Sequence, residues 1–269
     1  MDMSIGILQG RLSPSRDGRF QFSPKKWEAE FAIAQKLGFT SIEWLVDFVD
    51  FSENALLSSS GRKAIANAVA ETGVVVSSIC ADYFMKYRFT GADAPRSVEM
   101  LRVLADGAKE TREKLILIPL LEDNAPKRNA EKNEIVSQIK AVLPYLEKKG
   151  VRIGFETEMS RGELTEFLDS FRSDIVGVYY DIGNATSYGC DVPGDIRFFG
   201  NRIFGVHAKD RKKRSTQSVL LGEGDAPYAE TMRALTEIDF GGTIVMQAWR
   251  GQDFLEDART QLSFLKKFL

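Results

Sequence analysis

The feature that most restricts this chain is an alternation of short apolar runs with longer segments of helical period. Eight such runs occur, at residues 4–8, 39–45, 74–80, 115–118, 151–157, 175–181, 203–208 and 243–247. Near-continuous apolar character suits strands of a parallel sheet covered on both faces. Between the runs the signals are helical. Ser23 is placed to N-cap a helix with Pro24 in its first turn, Trp27, Phe31, Ala34 and Leu37 repeat at helical spacing, and Gly38 stands at the left-handed C-cap. Further helices are expected over residues 61–73 and from Pro95 through Val98, Leu101, Leu104 and Ala108. Another follows along Ile135, Ile139, Val142 and Leu146, with a kink or break at Pro144, and four more cover 163–171, 196–199, 227–237 and 254–268. Pro119 is expected to end the fourth strand.

Strand–helix units repeating every roughly 34 residues fit a (β/α)8 barrel, which takes about 250 residues. The 269 residues therefore read as one α/β domain, 1–269, with no linker or low-complexity stretch dividing it. An open doubly wound sheet is the alternative, but the first run leads into Gln9-Gly10-Arg11-Leu12 and lacks a glycine-rich dinucleotide turn.

Composition narrows the chemistry. With 36 basic against 38 acidic residues, the net charge of −2 gives no basic excess for nucleic acid. Cys80 and Cys190, with a single histidine, cannot build a disulfide framework or a thiolate zinc cluster, so any metal must rest mainly on oxygen ligands. No apolar run reaches the roughly 18 residues that would span a bilayer, and residues 1–10 carry Asp2 and no basic segment. The chain reads as soluble and cytoplasmic, with no membrane or nucleic-acid partner; a homo-oligomer is compatible with it.

A barrel's active site lies at the C-terminal ends of its strands. Those positions hold Gln9 and Arg11, Glu43, Asp82, Glu122, Glu156 and Glu158, Asp181, His207, and Gln247. Strands also end in polar residues simply because loops begin there, and for Asp82 and Glu122 that reading stands level with a functional one. In the second half of the chain a pattern emerges. Alternation puts Glu156 above Gly154, Asp181 above Tyr179 and Gly177, His207 above Gly205, and Gln247 above Val245. The glycines predict a layer of small side chains beneath converging polar groups. A lone histidine is most simply a core residue bonded to a carbonyl. With carboxylates at the same height on the two preceding strands it becomes a ligand candidate. One imidazole, two carboxylates and an amide oxygen form a shell suited to Mn²⁺, Mg²⁺, Co²⁺ or Zn²⁺.

Five segments carry a family resemblance: Gly-Phe-Thr-Ser-Ile-Glu43-Trp, Ile-Gly-Phe-Glu156-Thr, Tyr-Asp181-Ile-Gly-Asn184, Gly-Val-His207-Ala-Lys209-Asp210-Arg211 and Leu-Gly222-Glu-Gly224-Asp225. In this order they resemble the sugar phosphate isomerase/epimerase superfamily with the xylose isomerase-like TIM barrel. The resemblance implies that Glu156, Asp181 and His207 are three of four metal ligands, with Glu156 doubling as an acid/base. It also exposes a departure. Where such enzymes commonly place a second glutamate, this chain has Gln247, which can offer an oxygen but cannot take or give a proton. The formal charge of the shell falls from −3 to −2 as one carboxylate of three becomes an amide.

The resemblance implies a divalent-metal-dependent isomerase or epimerase of a small sugar, keto-sugar or sugar phosphate, working by enediolate-type proton transfer. With Gln247 present, the second proton-transfer role is left to Glu158, Lys209 or water, or Glu156 works alone. Arg11, Glu43, Asn184, Arg211 and Trp249 are substrate-binding candidates, Arg250 is a further anion site, and Trp44, Phe84 and Tyr188 could join Trp249 as apolar walls. The run Lys209, Arg211, Lys212, Lys213, Arg214 reads either as a phosphate site or as a solvated loop. Two alternatives stay open: a metal-dependent dehydratase of a keto-inositol or dehydroshikimate-like substrate, which needs one base, and a catalytically impaired sugar-binding protein. Abasic-site endonucleases built on such barrels need several histidines, which this chain lacks.

Overall fold

The computed structural model describes residues 3–15 and 18–269. Asp2, which entered the reading of the N-terminal stretch, lies outside the described residues.

Eight parallel strands close into a barrel: β1 (Ser4–Leu8), β2 (Ser41–Leu45), β3 (Val75–Cys80), β4 (Leu115–Leu120), β5 (Arg152–Thr157), β6 (Val176–Asp181), β7 (Ile203–Ala208) and β10 (Thr243–Met246). Between the last two, β8 (Asp210–Arg211) and β9 (Ser218–Val219) form a short antiparallel ribbon. Closure is made by β1 and β10, paired from Ser4 and Thr243 to Ile7 and Met246. Among the described residues, no helix is long and apolar enough to cross a membrane.

Two apolar bodies hold this barrel together. Outward residues such as Ile7, Ile42, Ile116, Ile153 and Phe155 pack beneath the helices, and Leu8, Leu45, Cys80, Leu117, Tyr179 and Val245 belong to a second cluster that plugs the interior. The glycines do not mark a layer of small groups, as the sequence suggested. They make room for a large one. A Cβ on Gly205 would run into the Tyr179 ring, and one on Gly154 would lie 3.2 Å from the Tyr179 Cβ. The ring therefore fills the interior beside β7, while the base of the same side chain sits close against β5.

Several boundaries move for local reasons. Ser23 does not cap the first helix, which spans Glu28–Leu37; its hydroxyl instead donates to the Leu45 carbonyl at 2.9 Å. Strand β4 runs through Pro119 to Leu120, because the β3 pairing ends at Leu117 and the missing N–H falls beyond it. Pro144 breaks its helix into Asn129–Lys140 and Leu143–Lys149, and Gly38 takes the left-handed C-cap at φ 89°.

Gly205→Ala should destabilise the fold by about 1–3 kcal/mol, because the new methyl meets a ring that cannot withdraw. Gly162→Ala, on the helix Arg161–Asp169 with open space around it, should be neutral or stabilising by up to about 1 kcal/mol. Urea unfolding of both variants checks the two signs.

Candidate functional site

The site is built outward from His207, which is wholly buried at the top of β7. Its Nε2 lies 2.6 Å from Glu43 Oε2, and Glu43 also accepts from Ser78 Oγ at 2.7 Å and Tyr179 OH at 2.6 Å. Glu43 is itself wholly buried with both oxygens engaged, so it is not a substrate contact. It positions the imidazole. The other ring nitrogen, Nδ1, has no hydrogen-bond partner and points between Glu156 Oε2 at 3.8 Å and Asp181 Oδ2 at 3.9 Å. Burial would lower the His207 pKa, but the charges of Glu43, Glu156 and Asp181 outweigh it and hold it above the usual value.

Asp181 ends β6 and starts a helix, Ile182–Tyr188, that the sequence did not reveal. Its Oδ1 caps that helix by accepting from Asn184 N at 2.7 Å, while Oδ2 faces Lys209 Nζ at 3.0 Å. Seven residues without apolar periodicity give a helix no sequence signal; its cap is the aspartate itself. Asn184 donates from Nδ2 to Glu156 Oε1 at 2.6 Å, and its Oδ1 lies 3.4 Å from Lys209 Nζ. The two carboxyls are thereby driven apart. Burial, then the Asp181 charge, raises Glu156 to about 7; burial also opposes Asp181 ionisation, but Lys209 and His207 outweigh it and its pKa falls below the usual range. Gln247 completes the group: its Nε2 donates to Gln21 Oε1 at 2.9 Å and its Oε1 is buried without a partner.

The other candidates are dispersed. Glu158 is exposed at the rim, where its Oε1 accepts from the Glu122 backbone N–H and, at 3.3 Å, from Tyr188 OH. It follows Thr157, the end of β5, where the in–out alternation has already stopped. Arg11 and Trp249 line a crevice between the outer faces of β1 and β10 and the last helix, beside Ile7, Met246 and Phe254. Arg11 is buried there with its guanidinium 4.1 Å from the Phe20 ring centroid, and burial lowers its pKa to about 9. Arg250 caps the same region by donating to the Gly10 and Ser13 carbonyls. Of the basic run only Lys209 enters the site; Arg211 is half-buried near Tyr188, and Lys212, Lys213 and Arg214 are exposed. Trp44 and Phe84 are core residues, which leaves Tyr188 as the aromatic side chain beside Glu156 and Asp181. Gln21, on the loop before the first helix, carried no sequence signal at all.

The sequence pattern of the xylose isomerase-like TIM barrel matches residues 31–268. The chain belongs to this family. Within it, the chain is 23% identical over 233 residues to the L-ribulose-5-phosphate 3-epimerase UlaE of Escherichia coli (strain K12), covering 83% of this chain and 82% of that protein. A solved L-ribulose 3-epimerase superposes with a TM-score of 0.79 at 19% identity, over all of this chain and 95% of the other. The D-allulose 3-epimerase from Methylomonas sp. in complex with D-allulose gives 0.75 at 17% identity, over 99% and 97%.

On the xylose isomerase-like barrel of this chain, the donor set fits a divalent cation. Glu156, Asp181 and His207 each present a ligand atom, all within 4.8 Å of one another. Three buried atoms of the group make no hydrogen bond, Asp181 Oδ2, His207 Nδ1 and Gln247 Oε1: a carboxylate oxygen, an imidazole nitrogen and an amide oxygen, all cation donors and all costly to bury without a partner. A ligating histidine whose second nitrogen is fixed by a carboxylate is the arrangement that sets ring orientation and basicity at metal sites.

Two outcomes follow for calorimetric titration with Mn²⁺. Glu43→Gln should weaken binding about 10–100-fold, since it removes the carboxylate that orients the ring without touching a ligand. Affinity should also fall as the pH is lowered through about 7, because protons on Glu156 and His207 compete with the cation and both pKa values are raised. An affinity indifferent to Glu43→Gln and to pH would contradict the assignment.

Proposed function

We propose that the protein is a divalent-metal-dependent isomerase or epimerase of a small ketose or ketose phosphate. The observation that carries this reading is the pairing of a free His207 Nδ1 and unpartnered Gln247 Oε1 with a buried carboxyl, Glu156, poised near neutrality beside them. The names of the relatives, epimerases of L-ribulose 5-phosphate, L-ribulose and D-allulose, support the same substrate class. A cation held by Glu156, Asp181, His207 and Gln247 would supply Lewis-acid polarisation of a carbonyl and its adjacent hydroxyl, which acidifies the neighbouring C–H.

The protein's own residues do the rest. Asn184 fixes one oxygen of Glu156, so that the other is left to take a proton from the carbon next to the carbonyl. Lys209, buried between Asp181 and Asn184, offsets the carboxylate charge. Tyr188 stands at the mouth near Glu156 and Asp181 as a wall for the sugar. A dehydratase is the second reading, favoured by one fact: Gln247 leaves a single carboxyl able to move protons within the cluster, and elimination needs one base.

The test is proton exchange. With Mn²⁺ in D₂O, ketoses and ketose phosphates should take up deuterium at the carbon beside the carbonyl, and Glu156→Gln should lower that rate by about 10²–10⁴-fold. Loss of water in place of exchange would select the dehydratase. No exchange and no elimination with any member of the set would overturn the proposal.

A further inference from the structure

Epimerisation needs proton transfer on both faces of one carbon, and Glu156 serves one of them. The residues named from sequence for the other face are unsuited to it. Glu158 is exposed at the rim, and Lys209 is committed to Asp181 and Asn184 on the same side as Glu156. A second polar chain crosses the other side of the mouth. Gln247 Nε2 donates to Gln21 Oε1 at 2.9 Å, Gln21 Nε2 donates to Asp82 Oδ2, and Cys80 Sγ donates to Asp82 Oδ1 at 3.3 Å.

The placement follows from the barrel. Glu156, Asp181 and His207 occupy β5, β6 and β7, whereas Gln247 and Asp82 follow β10 and β3, and Gln21 spans the β1 and β2 side to join them. Cys80 belongs to the interior cluster, and its thiol contact with Asp82 Oδ1 holds that carboxyl beside the top of the interior plug. Unlike the buried ligands, Asp82 keeps partial exposure as a residue. Its field joins it to the site: Asp82 raises the Glu156 carboxyl, and His207 in turn lowers Asp82. Burial, with Asp47 adding to it and Cys80, Gln21 and His207 opposing, lifts Asp82 to about 6, within working range of a general acid and base.

We infer that Asp82 is the second proton-transfer residue, serving the substrate face across from Glu156, with Gln21 as the positioning residue that ties it to Gln247. The inference rests on the isomerase reading above. In one direction Glu156 as carboxylate accepts the proton; the C–H pair becomes the C=C of an enediol form and the carbonyl oxygen takes the charge. Asp82 as carboxylic acid then donates to the opposite face, the C=C pair forms the new C–H bond and C=O returns. Glu156 ends protonated and Asp82 ionised, and exchange with water resets both. Cys80 has no part in these steps, its thiol being pushed well above its usual pKa by burial.

The experiment separates the faces by following L-ribulose 5-phosphate and D-allulose in D₂O with Mn²⁺, by deuterium uptake into unreacted substrate and by epimer formed. Asp82→Asn should lower epimer formation by 100-fold or more while deuterium uptake on the Glu156 face stays within about threefold of wild type. Glu156→Gln should lose both. Returning a carboxyl to the same side, in Asp82→Asn with Gln247→Glu, should recover at least tenfold of the lost epimerisation. Mn²⁺ affinity of Asp82→Asn within threefold of wild type shows that the variant is folded with its ligands in place. Epimer formation that survives Asp82→Asn, or that falls in step with uptake, would overturn the role of Asp82. A wild-type protein that takes up no deuterium from either sugar would overturn the isomerase reading, and this inference with it.

Discussion

The contact on which the rest of the barrel depends is the 2.6 Å hydrogen bond between Glu43 and His207, made where neither side chain meets solvent. A buried carboxylate survives only when its oxygens are satisfied, and here three donors from β3, β6 and β7 converge on it. One of the three is Tyr179, whose ring lies against β7 and leaves no room for a Cβ at Gly205. The interior composition, the orientation of the imidazole and the direction of its free nitrogen are consequences of a single requirement.

Above that contact the site separates two carboxyls of similar chemistry. Asp181 has a backbone N–H on one oxygen and an ammonium beside the other, whereas Glu156 has an amide on one oxygen and is raised by burial and by the Asp181 charge. The first is held ionised and the second is left able to exchange a proton near neutral pH. Gln247 ties the cluster outward, since its amide links to Gln21 and, through it, to Asp82.

Much of this was legible in the sequence. The periodicity located all eight barrel strands, and counting along each brought Glu156, Asp181, His207 and Gln247 to the same end. What escaped has physical reasons. In sequence a carboxylate at a strand end, such as Glu43, looks the same whether it faces solvent or the barrel axis. A proline such as Pro119 looks like a stop because the sequence does not tell which side of β4 is still paired. Glycines look like a small-residue layer because the ring that fills the space beside Gly205 belongs to a neighbouring strand. Gln21 lies on a loop, where no period constrains direction and only contact reveals a role.

With one histidine in the chain, the ligand role of its ring is directly measurable. Magnetic resonance of the ¹⁵N-histidine-labelled protein, loaded with Mn²⁺ and with a diamagnetic divalent cation, reports on one ring alone. A single nitrogen should couple to the metal, assigned to Nδ1, with Nε2 still protonated and hydrogen-bonded to Glu43. A metal coupled through Nε2, or coupled to no histidine nitrogen, would contradict it.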